Sequence, residues 1–372
     1  MTTATAPALV SAIPIHADPQ YGPGSPLGPG YQTAGAVARY RDAFNQTLRD
    51  ELRRDHNVVI MGEDISGGFD KVTKAPLDAW GGPFAATKGL VQEFGPERIR
   101  DCPISEAGFL GAAVGASLTG LRPVVDLMYF DFVTVAFDQL LSNAAKSRYM
   151  FGGQTKVPLT MFARSGAGTG HAAQHSESFY SILAHIPGLK VVVPSDPYSC
   201  RGLLAGAIRD DDPVFVVNDK KLINLNGFIP TESFAIELGK GRYLKRGKDV
   251  TLIGMSYTSY VCYKAAEELA KVGIDAEVVD MLSLSPLDED IIIESVTKTN
   301  RAVIVDEDTP RAGMAAEIAA VIADKAFDSL DAPVKRVTGP HTPVPYNKGL
   351  ETAFMPSIGD VVTTTKRLLG VA

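Results

Sequence analysis

The chain has 372 residues, 45% hydrophobic and 21% charged, which predicts a globular protein long enough for two domains. A formal net charge of −7 and the lack of a basic run with interleaved aromatic residues exclude nucleic-acid binding as a function class. No apolar run is long enough to span a bilayer. The three cysteines are far apart and odd in number, which predicts a reducing, cytoplasmic compartment and no disulfide framework.

The first segment of the chain, residues 1–33, is predicted to be a flexible arm. It is rich in Ala, Pro and Gly. The first 38 residues contain no Lys or Arg, which argues against a secretory signal or a transit peptide.

Residues 34–221 alternate between helical and strand periodicity. The predicted helices cover 36–54, 107–119, 132–149 and 197–209. The predicted strands cover 57–62, 123–128, 157–163, 190–193 and 214–217. This alternation predicts a mostly parallel sheet with helices on both faces.

A second unit of the same kind follows a predicted linker, residues 222–240, which loses periodicity and contains Asn, Gly and Pro. Within residues 241–372 the predicted strands cover 249–254, 275–279, 301–305 and 334–337, and the predicted helices cover 260–272, 288–298 and 313–327. The whole chain is therefore predicted to be α/β, with two doubly wound, mostly parallel sheet domains.

The residue that most strongly indicates chemistry is Glu106, an isolated acid at the end of Pro103-Ile-Ser-Glu106 that precedes a helix rich in small residues. A carboxylate among apolar and small residues loses hydration, which favours its protonated form. A charge stabilised by the dipole at a helix N-terminus is the alternative interpretation. Catalytic groups of parallel sheets gather at the carboxyl ends of strands, where Glu63, Phe132 and the loop 164–178 are also predicted to lie.

The string Gly166-Ala-Gly-Thr-Gly170 lies in this loop. It precedes a polar stretch instead of opening a helix, so it favours a flexible active-site loop over a phosphate cradle. His171 and His175 follow closely, and imidazole can donate or accept a proton near neutral pH.

Motifs from residue 36 to the end of the chain resemble those of one protein family. They are, in order, Met61-Gly-Glu-Asp64, Gly81-Gly-Pro-Phe-Ala-Ala-Thr-Lys-Gly89, Pro103-Ile-Ser-Glu106, Phe137-Asp-Gln-Leu-Leu-Ser-Asn-Ala-Ala-Lys146, Gln174-His-Ser-Glu-Ser178, Pro187-Gly-Leu-Lys-Val-Val-Val-Pro194, Leu284-Ser-Pro-Leu-Asp288, Val305-Asp-Glu-Asp308 and Arg336-Val-Thr-Gly-Pro340. The family comprises the beta subunits of the thiamine-diphosphate-dependent 2-oxo acid dehydrogenases and acetoin dehydrogenases, in the transketolase-like superfamily. The resemblance implies a pyrimidine-binding domain followed by a transketolase C-terminal domain.

Some of these motifs are most similar to one group of enzymes within the family, and others to a second group. Asp78-Ala-Trp-Gly-Gly82 and Arg148-Tyr-Met-Phe-Gly-Gly153 are most similar to the acetoin-type enzymes. The loop Gly168-Thr-Gly-His171 is more similar to the 2-oxo acid enzymes. The resemblance therefore leaves the substrate open between the two classes.

The resemblance implies two catalytic residues. Glu106 matches the glutamate that hydrogen-bonds the aminopyrimidine ring of thiamine diphosphate, and His175 matches the active-site histidine, with His171 as the adjacent candidate. Besides Glu106, the residues expected to contact the cofactor are Ile104, Met128, Tyr129 and Phe132. Core packing is the alternative interpretation for the aromatic residues, and a hydrogen bond to the loop backbone is the alternative for the histidines.

The resemblance also implies a monovalent-cation site. Its residues are Leu159, Thr160, Asp210 and Asp212, whose oxygen donors suit potassium. A solvated acidic turn before Pro213 is the alternative interpretation of the two aspartates.

One motif of thiamine enzymes, the Gly-Asp-Gly segment that holds the magnesium ion of the diphosphate, is absent from the chain. The resemblance therefore implies an alpha subunit that supplies magnesium and the diphosphate half of the site, in an alpha2-beta2 heterotetramer with beta-beta contacts. It further implies docking to a lipoyl acyltransferase core, for which the acidic segment 305–308 and Glu317 are candidates, and surface solvation is the alternative interpretation of each of these charges.

Three functions are consistent with these residues. The leading hypothesis is a beta subunit of a dehydrogenase that decarboxylates a 2-oxo acid or cleaves an acetoin-like ketone and passes the acyl fragment to lipoamide. The second is half of a split transketolase or deoxyxylulose phosphate synthase-like enzyme, for which Arg164 is the candidate phosphate-binding residue. The third is a non-catalytic docking scaffold, which would not need Glu106 or His175.

Overall fold

The computed structural model describes residues 35–67 and 81–371. The predicted arm, residues 1–33, and residues 78–80 of the acetoin-type motif lie outside the described residues. In the described part of the chain, no helix is both long and apolar enough to cross a membrane.

The strands are β1 Gly35–Arg39, β2 Val58–Gly62, β3 Ile99–Asp101, β4 Arg122–Tyr129, β5 Thr160–Ser165, β6 Lys190–Val192, β7 Val214–Asp219, β8 Asn226–Pro230, β9 Arg242–Lys245, β10 Val250–Gly254, β11 Ala276–Asp280, β12 Ser283–Ser285, β13 Ala302–Asp306 and β14 Lys335–Thr338. The helices are α1 Tyr40–Arg54, α2 Leu90–Phe94, α3 Glu106–Leu118, α4 Ala145–Met150, α5 Tyr180–Ala184, α6 Pro197–Arg209, α7 Tyr257–Ala270, α8 Glu289–Thr299, α9 Met314–Lys325, α10 Lys348–Phe354 and α11 Ile358–Leu368. Short 3-10 turns occur at Phe130–Thr134, Ala173–His175, Lys220–Leu222 and Phe327–Ser329.

Two α/β sheets confirm the predicted fold class. The first has the strand order β12-β6-β7-β5-β4-β2-β3, and its neighbours are parallel except for the edge pair of β12 and β6. The second has the order β14-β13-β10-β11-β9, with β9 antiparallel at its edge. Strands β2, β5, β7 and β10 are buried along their whole length, because helices cover both faces of each sheet.

The helix predicted over 36–54 begins later, at Tyr40. Residues Gly35–Arg39 form β1, which pairs antiparallel with β8, and β8 lies within the predicted linker. Ile229 in this segment is buried, so the segment is packed against the first domain and is not a free tether. β1 is largely exposed, so its sequence lacks the alternation of apolar and polar residues from which a strand could be predicted.

The helix predicted over 132–149 is also different. A 3-10 turn occupies Phe130–Thr134, and the helix that follows contains a π-helical segment, Gln139–Ala144, before α4. Within it the Ser147 hydroxyl donates to the carbonyl of Asn143 at 2.6 Å, a bond that competes with regular helix geometry. π-helical segments are frequent near functional sites.

A buried arginine joins the two domains. Arg242 is 2% exposed, and its guanidinium donates to Asp280 at 2.8 Å and to Asp196 at 2.8 Å. Asp196 of the first domain also caps α6 through the Ser199 amide at 2.7 Å. One guanidinium thus compensates two buried carboxylates, one from each domain.

The acidic segment 305–308, for which docking to a partner and surface solvation were the two interpretations, is buried, so both interpretations are wrong for it. Its three carboxylic residues are at most 6% exposed, because the segment faces the first domain. Asp306 accepts a hydrogen bond from the Tyr180 hydroxyl, and Asp308 accepts one from the Ser181 hydroxyl at 2.9 Å. Burial raises the pKa of Asp308 to about 7, and the Asp306 carboxylate adds to this effect.

Replacement of Arg242 by Met is expected to destabilise the chain strongly, because Asp196 and Asp280 then stay buried without their cation. The expected loss is about 3–5 kcal/mol in the free energy of unfolding. The matched control is Arg246→Met, which removes a half-exposed guanidinium and is expected to cost less than about 1 kcal/mol. Denaturant titration followed by circular dichroism measures both variants. Equal losses in the two would contradict the role assigned to Arg242.

Candidate active site

The predicted site residues follow strands that end at one edge of the first sheet. Parallel pairing aligns Gly62 of β2 with Asp126 of β4 and with Asp101 of β3. In the next pair, Tyr129 of β4 lies beside Arg164 of β5. The segments after these strands therefore meet at the carboxyl edge of the sheet, where α/β proteins bind ligands.

Glu106 is the first residue of α3 and is only 9% exposed. The helix dipole favours a negative charge at this N-terminus. Glu63 directly follows β2, and its pKa is raised by burial and then by the charges of Asp64 and Glu106. The structure thus places an acidic group, largely shielded from bulk water, at the carboxyl edge of the sheet.

A cluster of aromatic and histidine rings lies at the same edge, centred on Tyr129. The centroid of its ring is 4.5 Å from that of His175 and 5.6 Å from that of His171. The Phe132 ring lies 6.2 Å from that of Tyr129 and 5.3 Å from that of His175, and the Phe84 ring lies 5.1 Å from that of Tyr129. All five rings are partly exposed, so they are accessible from outside the chain and do not form a packed core.

The backbone that presents Tyr129 is strained. Met128 has a φ of 56°, a left-handed conformation that costs a non-glycine residue about 1–2 kcal/mol. The buried carboxylate of Asp126 holds it by accepting the Met128 amide at 2.8 Å, and the strand register shifts between Asp126 and Tyr129. Burial raises the pKa of Asp126 to about 6, although the guanidinium of Arg164 opposes the shift. Strain that the surroundings impose in this way is typical of functional sites.

Lys220, which was not among the predicted site residues, lies in the cluster. It is 3% exposed, and its Nζ donates to the backbone carbonyl of His175. The ammonium lies 5.4 Å from the centroid of the Tyr129 ring, within range of a cation–π contact. Burial lowers the pKa of Lys220. A lysine directly after the buried strand β7 was the signal that could have revealed it.

The structure does not bring Ile104 into this cluster. Met128 is buried at the end of β4, whereas Ile104 is 79% exposed in the segment before α3. The exposed face of α3 next to it consists of small residues, including Ala107, Gly108 and Ala112. Within this chain, Ile104 and the small residues of α3 therefore form one outward-facing apolar surface.

The Gly-rich loop binds anionic groups of the chain itself. The Ala167 amide donates to Glu307 at 2.6 Å, and the three amides of residues 168–170 donate to Glu351 at 2.7–3.1 Å. The loop therefore has the geometry of an anion-binding nest. The amides that a phosphate would need are already bound by carboxylates of the C-terminal domain.

The two aspartates expected to bind potassium are paired with cations of the protein. The Nζ of Lys190 lies 2.8 Å from both carboxylate oxygens of Asp210 and 3.5 Å from Asp212, which also pairs with Arg148. The carbonyl of Leu159 accepts a strand amide at 2.9 Å. Across residues 35–67 and 81–371 there is also no group of three or more His, Cys, Asp or Glu that could hold a metal ion. The potassium site stays a prediction, without support from these contacts.

Arg164, the residue expected to bind a sugar phosphate, is not at the mouth of the site. It is 2% exposed, and its guanidinium lies 4.6 Å from the ring centroid of Phe44 and 5.6 Å from that of Phe162, both of which are buried. The prediction for Arg164 is therefore wrong, because its side chain enters the core between aromatic rings.

Comparison with known proteins gives the chain two domains of one superfamily. The transketolase pyrimidine binding domain matches residues 37–225, and the transketolase C-terminal domain matches residues 239–361. The acetoin:2,6-dichlorophenolindophenol oxidoreductase subunit beta of Bacillus subtilis is 50% identical, over 90% of this chain and 98% of that protein. The corresponding subunit of Cupriavidus necator is 44% identical, over 88% and 96%. The mitochondrial pyruvate dehydrogenase E1 component subunit beta-2 of Oryza sativa is 41% identical, over 91% and 88%.

A solved structure extends the comparison to the fold. It is described as a split gene transketolase, an inactive beta4 tetramer, and it superimposes with a TM-score of 0.68 over 91% of this chain and 99% of that one. Its identity to this chain is 23%, so the likeness shows the shared fold alone.

Asp126→Asn is expected to change how stability depends on pH. The folded-state pKa of about 6 lies above the ordinary value of 3.8, so the folded chain binds this proton more tightly than the unfolded chain. The contribution of Asp126 to the free energy of unfolding therefore falls by about 2–3 kcal/mol as the pH rises from about 4 to about 6. Asn still accepts the Met128 amide but does not titrate, so the variant lacks this part of the decline.

Denaturant midpoints at a series of pH values measure the effect. The exposed Asp138→Asn is the control and is expected to keep the decline of the unmodified chain. An identical pH profile for Asp126→Asn and the unmodified chain would show that Asp126 does not titrate in this range.

Proposed function

The chain belongs to the family of beta subunits of thiamine-dependent acetoin and pyruvate dehydrogenases, and we propose that it forms the pyrimidine-binding half of an active site shared with an alpha subunit. As a member of this family it is a component of an oxidoreductase complex and depends on thiamine diphosphate. The cofactor's diphosphate and its magnesium ion are assigned to the alpha subunit. A cytoplasmic location is part of the same proposal.

The ring cluster at the carboxyl edge of the first sheet is the observation that carries this proposal. The flat faces of Tyr129 and Phe132 suit an aromatic heterocycle, and Glu106 adds a shielded carboxyl group at the N-terminus of α3. These residue types fit the aminopyrimidine ring of thiamine diphosphate. Two further residues are proposed to contact the cofactor. They are Met128, which is buried next to Tyr129 in the chain, and Ile104, which lies two residues before Glu106.

The chain's residues have distinct roles in this proposal. Thiamine diphosphate, when bound, supplies the carbon nucleophile and the electron sink of the reaction. Glu106 shares a proton with a ring nitrogen of the pyrimidine, and His175 donates or accepts a proton at an oxygen of the substrate. Burial, followed by the charges of Lys220 and His175, lowers the pKa of His171, so its imidazole is mainly neutral at pH 7 and suited to accept a proton.

The substrate class that we favour is a vicinal hydroxyketone of the acetoin type. The two acetoin oxidoreductase subunits share 50% and 44% of their residues with this chain, against 41% for the rice pyruvate dehydrogenase subunit. Cleavage of the carbon–carbon bond releases an aldehyde, and the remaining fragment is oxidised to an acyl group as the disulfide of lipoamide is reduced. A 2-oxo acid, which loses carbon dioxide instead, is the second candidate.

An alpha subunit accounts for the apolar surface beside the site. Ile104 is 79% exposed and Val135 is 55% exposed, and small residues on α3 allow another backbone to approach closely. We assign this surface to the contact with the alpha subunit. The alpha2-beta2 assembly, its beta-beta contact and docking to a lipoyl acyltransferase core complete the proposal.

The two other functions fit the site less well. A split transketolase is similar in fold, but the arginine that would bind its sugar phosphate, Arg164, is buried among aromatic rings. A docking scaffold has no use for a shielded Glu106 or for the strained backbone at Met128, which lowers the stability of the chain.

Dye reduction tests the substrate proposal. The chain is co-expressed with its alpha subunit and assayed with thiamine diphosphate, magnesium and 2,6-dichlorophenolindophenol as acceptor. Acetoin is expected to give a higher kcat/KM than pyruvate or branched-chain 2-oxo acids. A higher value for a 2-oxo acid would move the assignment to the second candidate, and no turnover by a stable complex would favour the scaffold.

Glu106→Gln is expected to lower kcat by about 10²–10⁴-fold, because the amide cannot share the proton that the carboxyl shares. Assembly with the alpha subunit is expected to be unchanged, as judged by size-exclusion chromatography. The matched control is Glu97→Gln, whose side chain is 92% exposed before β3. Full activity of Glu106→Gln would remove Glu106 from the catalytic residues.

A further inference from the structure

A carboxylate of the C-terminal domain holds the loop that precedes the active-site histidines. Glu351 of α10 is 2% exposed, and its Oε1 accepts the amides of Gly168 at 2.7 Å, Thr169 at 3.1 Å and Gly170 at 3.1 Å. Its Oε2 accepts the Gly170 amide a second time at 3.1 Å. Hydrogen bonds to an ionised acceptor are about twice as strong as neutral ones.

The loop can converge on this carboxylate because of its glycines. Gly168 and Gly170 have φ values of 93° and 76°, which side chains rarely adopt. A Cβ on Gly168 would also lie 2.7 Å from the sulfur of Met355. The glycines therefore allow the loop to bind the carboxylate of Glu351, an anion of the same chain.

A second contact extends from this loop to a site histidine. The Oγ1 of Thr169 lies 2.8 Å from the Nδ1 of His171, and the His171 ring lies 5.6 Å from that of Tyr129. Glu351 fixes the backbone of Thr169, and the Thr169 hydroxyl fixes one ring nitrogen of His171. The path from the C-terminal domain to the ring cluster thus has two hydrogen-bonded steps.

Glu307 and Glu351 differ in what compensates their charge. Glu307 accepts the Ala167 amide and has the ammonium of Lys221 at 3.4 Å. Among the described residues, the hydrogen-bond donors to the Glu351 carboxylate are the loop amides alone. The Glu351 carboxylate thus binds the loop directly, and the buried ammonium of Lys220 is near enough for the Glu351 charge to act on the pKa of Lys220, which it raises.

We propose that Glu351 is a positioning residue that orients His171 in the active site through the amides of residues 168–170 and the hydroxyl of Thr169. The consequence for catalysis rests on the proposed function, whereas the linkage itself is a property of the chain. The groups that face His171 are Lys220, His175, Tyr129 and Glu351. Burial, Lys220 and His175 lower the pKa of His171, and Glu351 raises it.

Hydrogen–deuterium exchange of the full-length chain tests the first step. Glu351→Ala is expected to raise the exchange rate of the amides of residues 168–170 by about tenfold or more, since charge-assisted bonds protect them. Glu351→Gln keeps one accepting oxygen and is expected to give a smaller increase. The control is Glu294→Gln, a carboxylate of the same domain whose side chain is 67% exposed, which is expected to leave the loop unchanged.

Histidine titration by NMR tests the second step. The chain has six histidines, so the His171 signal can be assigned with a His171→Gln variant. Glu351→Gln is expected to shift the titration of His171 to lower pH, because a negative charge near the ring is lost. Thr169→Val is expected to change the His171 signal while the loop amides stay protected, since it removes only the hydroxyl.

The reconstituted enzyme adds a kinetic test. Glu351→Ala is expected to lower kcat by about 10- to 100-fold with a smaller change in KM, and Glu351→Gln to restore part of the loss. Unchanged loop exchange in Glu351→Ala, or an unchanged His171 signal in Thr169→Val, would overturn the proposal. If the complex shows no thiamine-dependent turnover, the proposed function fails, and the exchange and titration results still decide the linkage.

Discussion

Carboxylates of the C-terminal domain that are buried against the first domain are the constraint on which the rest of this structure depends. Each of these carboxylates accepts at least one hydrogen bond from the first domain. The residues are Asp280, Asp306, Glu307, Asp308 and Glu351. A buried carboxylate without donors is strongly unfavourable, so these contacts fix the relative position of the domains more specifically than apolar contact alone. Apolar surfaces tolerate sliding, whereas a hydrogen-bonded charge requires its donor at one place.

The donors to these carboxylates lie close to the proposed catalytic residues in the chain. The amides of residues 167–170 precede His171, and the hydroxyls of Tyr180 and Ser181 follow His175 by a few residues. The segment with both histidines is therefore held at its two ends by the other domain, while Lys220 holds its middle through the carbonyl of His175. Burial raises the pKa of Asp308 to about 7, so the folded chain binds this proton more tightly than the unfolded chain, and this contribution to stability is lost as the pH rises toward 7.

Sequence analysis predicted what depends on local pattern and on motif. Alternating periodicity predicted the two parallel sheets, and the isolated Glu106 marked the start of α3 at the carboxyl edge. Contacts between residues far apart in the chain were beyond it, as with β1 and β8 or Glu351 and its loop. It was also wrong where the fold decides the environment of a charge, because the sequence of Arg164 or of 305–308 does not reveal which charges are buried.

A site shared between two chains needs each half to be ordered before they meet, since ordering at the moment of association would reduce affinity. The groups that order this half all belong to the chain itself. Asp126 holds the strained turn before Tyr129, Lys220 holds the carbonyl of His175, and Glu351 holds the loop before His171. Each of these groups is buried, and burial of a charged group lowers the stability of the fold unless its hydrogen bonds and ion pairs offset the lost hydration. Under the proposed function, the alpha subunit would therefore meet groups that this chain already holds in place, and such preorganisation favours reaction.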